Sequence, residues 1–284
     1  MIEFKPRMWT LMGVSAMALV GAAACQPGGE AGTTAGDGDQ AAASSKAGEG
    51  EGEGAKSAPA PVAASAGGES GEAGAANAYA NIDPAAWLGL RVTHLSGFLL
   101  IAQKSFAAGQ VDEASILISQ GLLEVYQPDA TELDSKVKDL KPSYDAVVAA
   151  IDGKKSKAEI EAAFKKAFKV TQNAQTSAAA SDSEVIKGML GIAAGLYSGV
   201  VHSDGNDPIE YQHSFGAVLA ADQAFKSAQS KLAGKDEKRT AQLAKDMTAL
   251  VALFPTVTIP DAPAATAAVT AAASRAELAL SGIR

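Results

Sequence analysis

Residues 83–109 read DPAAWLGLRVTHLSGFLLIAQKSFAAG. Within them Trp87, Leu88, Val92, Leu95, Leu99, Ala102 and Phe106 recur at steps of three and four. That spacing lays the apolar side chains along one face of an α-helix, because residues so spaced return to the same side. Asp83-Pro84 opens the helix, since the N–H that proline lacks is one the first turn leaves unbonded anyway. Gly109 closes it. A single apolar stripe is not stable in water without a partner, and the chain supplies further stripes of the same period. The expected fold is therefore all-α, a helical bundle of seven to eight helices.

Working toward the C-terminus, Val111 to Tyr126 gives a second helix with Ala114, Leu117, Ile118 and Leu122 inward, stopped by Pro128. The run Ala107-Ala108-Gly109-Gln110-Val111-Asp112-Glu113-Ala114 resembles a tetratricopeptide hairpin. No second copy follows at the ~34-residue period which that family requires, so a solenoid is not expected. A third helix spans about Thr131 to Ile151, with an interruption expected near Pro142. Ser156 and Glu159 form a capping-box pattern for a fourth. Its Ile160, Ala163, Phe164, Ala167, Phe168 and Thr171 face one way, which leaves Lys165, Lys166 and Lys169 on a solvated face. Ser181 and Glu184 repeat the box ahead of the most apolar stretch, Val185 to Val201. Gly191, Gly195 and Gly199 fall on one stripe there and predict a neighbour at close approach. Asp207-Pro208 begins a long helix with Tyr211, Phe215, Val218, Leu219 and Phe225 inward. Helices near Asp236–Leu253 and Ala264–Leu280 complete the set.

Working toward the N-terminus, the composition changes. Residues 26–80 are dominated by Gly, Ala, Ser, Glu and Pro, as in the run from Gly48 to Gly54, and Tyr79 is their first aromatic residue. Such a segment cannot bury enough apolar area to offset about 1–2 kcal/mol of backbone entropy per residue. Residues 25–80 are thus read as a disordered linker and residues 81–284 as the helical domain. Ahead of the linker, Lys5 and Arg7 precede an apolar run from Met8 to Val20. Its roughly 13 residues fit the ~7–15 of an export signal and fall short of the ~20 needed to cross a bilayer. The stretch Ala22-Ala23-Ala24-Cys25 then resembles the lipobox of bacterial lipoproteins, although Ala22 stands where those more often have leucine. The resemblance implies a signal peptide at residues 1–24, cleavage before Cys25, acylation of Cys25, and attachment to a membrane through lipid. Cys25 is the chain's one cysteine, which excludes an intrachain disulfide. Gln26 follows it, and similarity to enteric lipoproteins, which use aspartate there for inner-membrane retention, favours the outer membrane facing the periplasm, with the cell surface as the alternative. The expected location is the cell envelope.

Candidate chemistry is sparse. A formal net charge of −8 does not favour nucleic acid as a partner. The sequence has no Cys pair, no Gly-rich phosphate loop after a strand and no Gly-x-Ser-x-Gly elbow. The first expectation is a non-enzymatic envelope module, without a cofactor, that binds a partner protein or a small ligand. The alternatives are a periplasmic accessory protein that binds a divalent metal ion, iron among them, and an enzyme of unrecognised type. Of the histidines His94, His202 and His213, the last two flank a turn that carries Asp204 and Asp207. Glu210 and His213 have the Glu-x-x-His spacing that places carboxylate and imidazole on one helix face. His202, Glu210 and His213 form the candidate mononuclear site.

The segments His94 to Tyr126 and Ile186 to Phe225 also resemble the periplasmic helical region of bacterial iron permeases and their unattached relatives. The shared features are a Gly-ended helix, a following helix with Glu124-x-Tyr126, and Glu210-Tyr211-Gln212 leading into Phe215-Gly216. His213 stands where the relatives often have aspartate, and the sequence shows no counterpart of the permease membrane domain. The resemblance implies a helical envelope module near metal uptake rather than a transporter. It adds His94, Glu124, Tyr126 and Tyr211 as candidate site residues.

Overall fold

The stripe of residues 87–106 is a buried helix in the computed structural model, which describes residues 70–178, 180–203 and 205–283. The signal, Cys25, Asp204 and the linker up to residue 69 lie outside the described residues. The helices are α1 (Ser70–Ala80), α2 (Trp87–Ala107), α3 (Val111–Gly121), α4 (Ala130–Lys136), α5 (Leu140–Asp152), α6 (Lys157–Ser177), α7 (Asp182–Tyr197), α8 (Pro208–Ala233), α9 (Glu237–Val251) and α10 (Thr266–Ser281). The one strand pair among the described residues is Val201–His202 against Gly205–Asn206, antiparallel. The fold is all-α.

The C-terminal half closes on itself: α7 packs on α8, α8 on α9, α9 on α10, and α10 back on α7. This is a four-helix bundle with α8 as its longest member. The N-terminal half forms a layer against it, with α2 on α8 and α1 on α7, while α3 and α6 flank α2 and α5 packs on both of them. Leu90, Leu95, Leu99, Ile101, Leu117, Ile118, Tyr144 and Phe164 are fully enclosed. Burying a large apolar side chain contributes about 1.5–3 kcal/mol, so this shared interior is what holds the two halves together. Helices α2 and α8 cross with their backbones in close approach at Gly97 and Gly216. A Cβ on Gly97 would lie 2.8 Å from the Gly216 carbonyl oxygen, and a Cβ on Gly216 would lie 2.8 Å from that of Gly97.

Several local expectations hold. Asp83 caps the α2 entrance by accepting from the Ala85 N–H at 2.8 Å. Ser156 and Glu159 make the full capping box. Gly109 ends α2 with φ +85°, a conformation that glycine adopts without strain.

Others are corrected. The linker does not run to Ala80: α1 begins at Ser70, and its Ala75 is buried. Its apolar residues are alanines and Tyr79, too small as a set to make a stripe of large side chains, and α1 is held by packing on α7. The third predicted helix is divided into α4 and α5 at Val137–Asp139 rather than at Pro142. Pro142 sits in the first turn of α5, where its missing N–H costs nothing. Ser181 makes no side-chain cap bond, and α7 ends at Tyr197, short of Val201. On the glycine stripe, a Cβ at Gly191 would meet Ala78 of α1 at 3.4 Å, an ordinary contact. The tight backbone approach is therefore at α2–α8.

Candidate functional site

After α3 the chain widens into a π-helical turn, Leu122–Tyr126, before a 3-10 turn at Gln127–Asp129. One extra residue per turn re-aims the side chains that follow, and such turns recur at functional sites. Here the turn carries Glu124, whose side chain is 30% exposed and whose Oε2 lies 3.5 Å from Nδ1 of His213 on α8. The other ring nitrogen of His213, Nε2, is 3.2 Å from Oε1 of Gln120 on α3. In the tautomer that carries its proton on Nε2, the ring donates to this carboxamide oxygen. In that tautomer Nδ1 presents a lone pair toward the Glu124 carboxylate. Burial pushes the His213 pKa down to about 4, with the Asp207 charge pulling weakly the other way. The imidazole is consequently neutral at neutral pH, which is its metal-ligating form.

The histidines of α2 and α8 are joined through an aromatic ring. Phe98 lies one turn after His94 on α2, and its centroid is 5.5 Å from that of His94 and 4.8 Å from that of His213. His94 Nδ1 is 2.7 Å from the Tyr79 hydroxyl. Its Nε2 is buried and has no hydrogen-bond partner among the described residues. Burial, with the Arg91 charge and His213 adding to it, lowers the His94 pKa to about 3. Arg91 lies over the Tyr79 ring at 3.8 Å and pairs with Asp129 at 2.6 Å, tying α1, α2 and the turn after the π-helix together.

The expected metal set is not assembled. Among the described residues no three His, Cys, Asp or Glu side chains are placed to hold one ion. His202 is exposed on the short strand pair, its Nε2 2.6 Å from the Gly199 carbonyl oxygen. Glu210 and His213 do share the inner face of α8 and are both buried. The Glu210 N–H donates to Asp207 at 3.1 Å, as a cap position requires.

The two candidate tyrosines lie elsewhere. The Tyr126 hydroxyl donates to Asp134. Tyr211 belongs to an aromatic cluster with Tyr197, Phe215 and Phe254, in which Phe215 and Phe254 stack at 5.1 Å. The Tyr211 hydroxyl donates to the Thr256 carbonyl at 2.9 Å and that of Tyr197 to the Ala264 carbonyl at 2.8 Å. These bonds staple the connection between α9 and α10 to the bundle.

Sequence reasoning missed Gln120, Phe98, Arg91 and Tyr79. The first two were findable, because Gln120 and Glu124 are four apart, as are His94 and Phe98.

Residues 172–283 match the family described as the iron permease-associated 4-helix bundle domain. The match spans α7 to α10, so His213 lies inside it, whereas His94, Gln120 and Glu124 lie outside. Neither the curated proteins nor the solved structures contain a match to the chain.

Proposed function

We propose that this chain is a cell-envelope accessory module, held to the membrane by lipid on Cys25, that acts by binding rather than catalysis and holds a divalent metal ion in the service of an uptake system. The observation that carries the reading is the facing pair His213 Nδ1 and Glu124 Oε2, 3.5 Å apart. With His213 neutral and its proton on Nε2, the imidazole lone pair and the carboxylate converge on one point, where a cation would be held by both. Ligand bonds of about 2.1 Å to each would span that gap at an angle near ~110°, which suits borderline divalent ions. The similarity of α7–α10 to an iron permease-associated bundle supports iron as the cargo. With two protein ligands and the rest water, such a seat would bind weakly and exchange fast, which suits transfer rather than storage.

The test is anaerobic titration of the envelope-purified protein with Fe(II), and separately with Zn(II), followed by calorimetry. A single weak site that is lost in both His213→Ala and Glu124→Gln is expected. Glu124 is partly exposed and the change to glutamine conserves its shape, so that variant keeps its fold. Binding that is absent, or that survives Glu124→Gln, overturns the reading.

A further inference from the structure

A second site lies away from the histidines. Helices α6 and α8 both stand beside α2 and leave a crevice of 260 Å³ between them. Its lining is Ser96, Lys165, Phe168, Lys169, Thr171, Gln172, Gln175 and Gln223, with no acidic residue. The floor is already satisfied internally. The Ser96 hydroxyl donates to the Thr93 carbonyl at 2.7 Å, that of Thr171 to the Ala167 carbonyl at 2.8 Å, and the Gln175 amide to Thr93 Oγ1 at 3.1 Å.

The walls differ. Lys165 and Lys169 are one turn apart on α6, both exposed, and neither has a carboxylate within 4.0 Å among the described residues. Like charges at that spacing repel and weaken the helix that carries them. In a chain of formal net charge −8 this is a local reversal of sign. Asp222, the acid next to Gln223, is engaged by Lys226 at 2.6 Å and does not neutralise it. Gln172 on α6 and Gln223 across the crevice on α8 add further side-chain amide donors, and the half-buried Phe168 ring gives one apolar wall.

We propose that this crevice binds a small organic dianion: two carboxylates on a short carbon skeleton, one to each lysine, with the skeleton against Phe168. Two lysines whose Cβ atoms stand about 6 Å apart, each with its own ammonium group, match a molecule with two charged ends better than a single compact ion.

The test titrates the purified protein with succinate, acetate and inorganic phosphate in low-salt buffer, followed by backbone NMR shifts. Succinate is expected to move resonances of α6 and α8 around the crevice and to bind roughly tenfold more tightly than acetate. Raising the salt should weaken it, because the lysines are exposed to screening. The double variant Lys165→Gln/Lys169→Gln, both at exposed positions, should weaken succinate roughly tenfold, while Lys166→Gln, which does not line the crevice, should leave it unchanged. Succinate binding that is no tighter than acetate, or that falls equally with Lys166→Gln, overturns the proposal. Lysine-dependent binding of phosphate alone overturns the ligand class.

Discussion

His94 is the least expected residue of the interior: an imidazole 5% exposed, with one nitrogen bonded to Tyr79 and the other unpartnered among the described residues. Its neighbours are Tyr79, Arg91, Phe98 and His213. Its pKa falls to about 3 in the folded chain against 6.5 for an unperturbed histidine. Between those values the unfolded chain binds the proton and the folded chain does not, so stability rises with pH. The contribution is complete above pH 6.5 and is lost as pH falls toward about 3. It is on the order of 5 kcal/mol over the whole window. Urea unfolding at pH 7.5 and pH 4.5 should show the acid loss, and His94→Gln should reduce it to the part that His213 supplies; an unchanged slope would contradict the assignment. At this scale the sequence was partly legible. The Glu-x-x-His step placed Glu210 and His213 on one buried face, and family resemblance picked out Glu124. His202 could not be placed, because its direction depends on how a two-residue strand pair leaves α7. Tyr79 was hidden because a Gly/Ala-rich composition reads as linker.

At the scale of elements, the glycines divide by what surrounds them. Gly97→Ala or Gly216→Ala puts a methyl against backbone that cannot move aside, and each should cost about 1–3 kcal/mol. Gly191→Ala meets only Ala78 at ordinary distance. It should gain up to about 1 kcal/mol from helix propensity. Chemical denaturation of the three variants reports the difference, and equal losses at all three would refute the crossing. Helix starts at Asp83 and Ser156 and the stop at Gly109 were legible because capping and turn chemistry is local. The break at Val137–Asp139 carries no breaker residue, and proline drew attention to the wrong place. The π-helical turn was invisible, since one added residue per turn leaves no pattern in an apolar run such as Leu122-Leu123.

For the whole molecule, the bundle and the layer meet along α2 and α8, and the His213–Glu124 pair straddles that junction. Helix α1 belongs to the layer through Tyr79, which His94 and Arg91 hold. A fragment beginning at Asn81 should therefore melt lower than one beginning at Ser70. Its His94 proton resonances should titrate nearer 6.5, because a wall of its pocket is gone. Identical melting and titration would show that α1 is dispensable. The all-α class was legible from periodicity alone, whereas the closure of α7–α10 into a ring was not, because contact order is a property of three dimensions. The Gly97–Gly216 crossing adds a genetic consequence. Damage at one of two packed side chains can ordinarily be suppressed by shrinking the other. Here both partners are already the smallest residue, so a lesion at either position has no compensating change across the contact, and suppressors of it should map elsewhere.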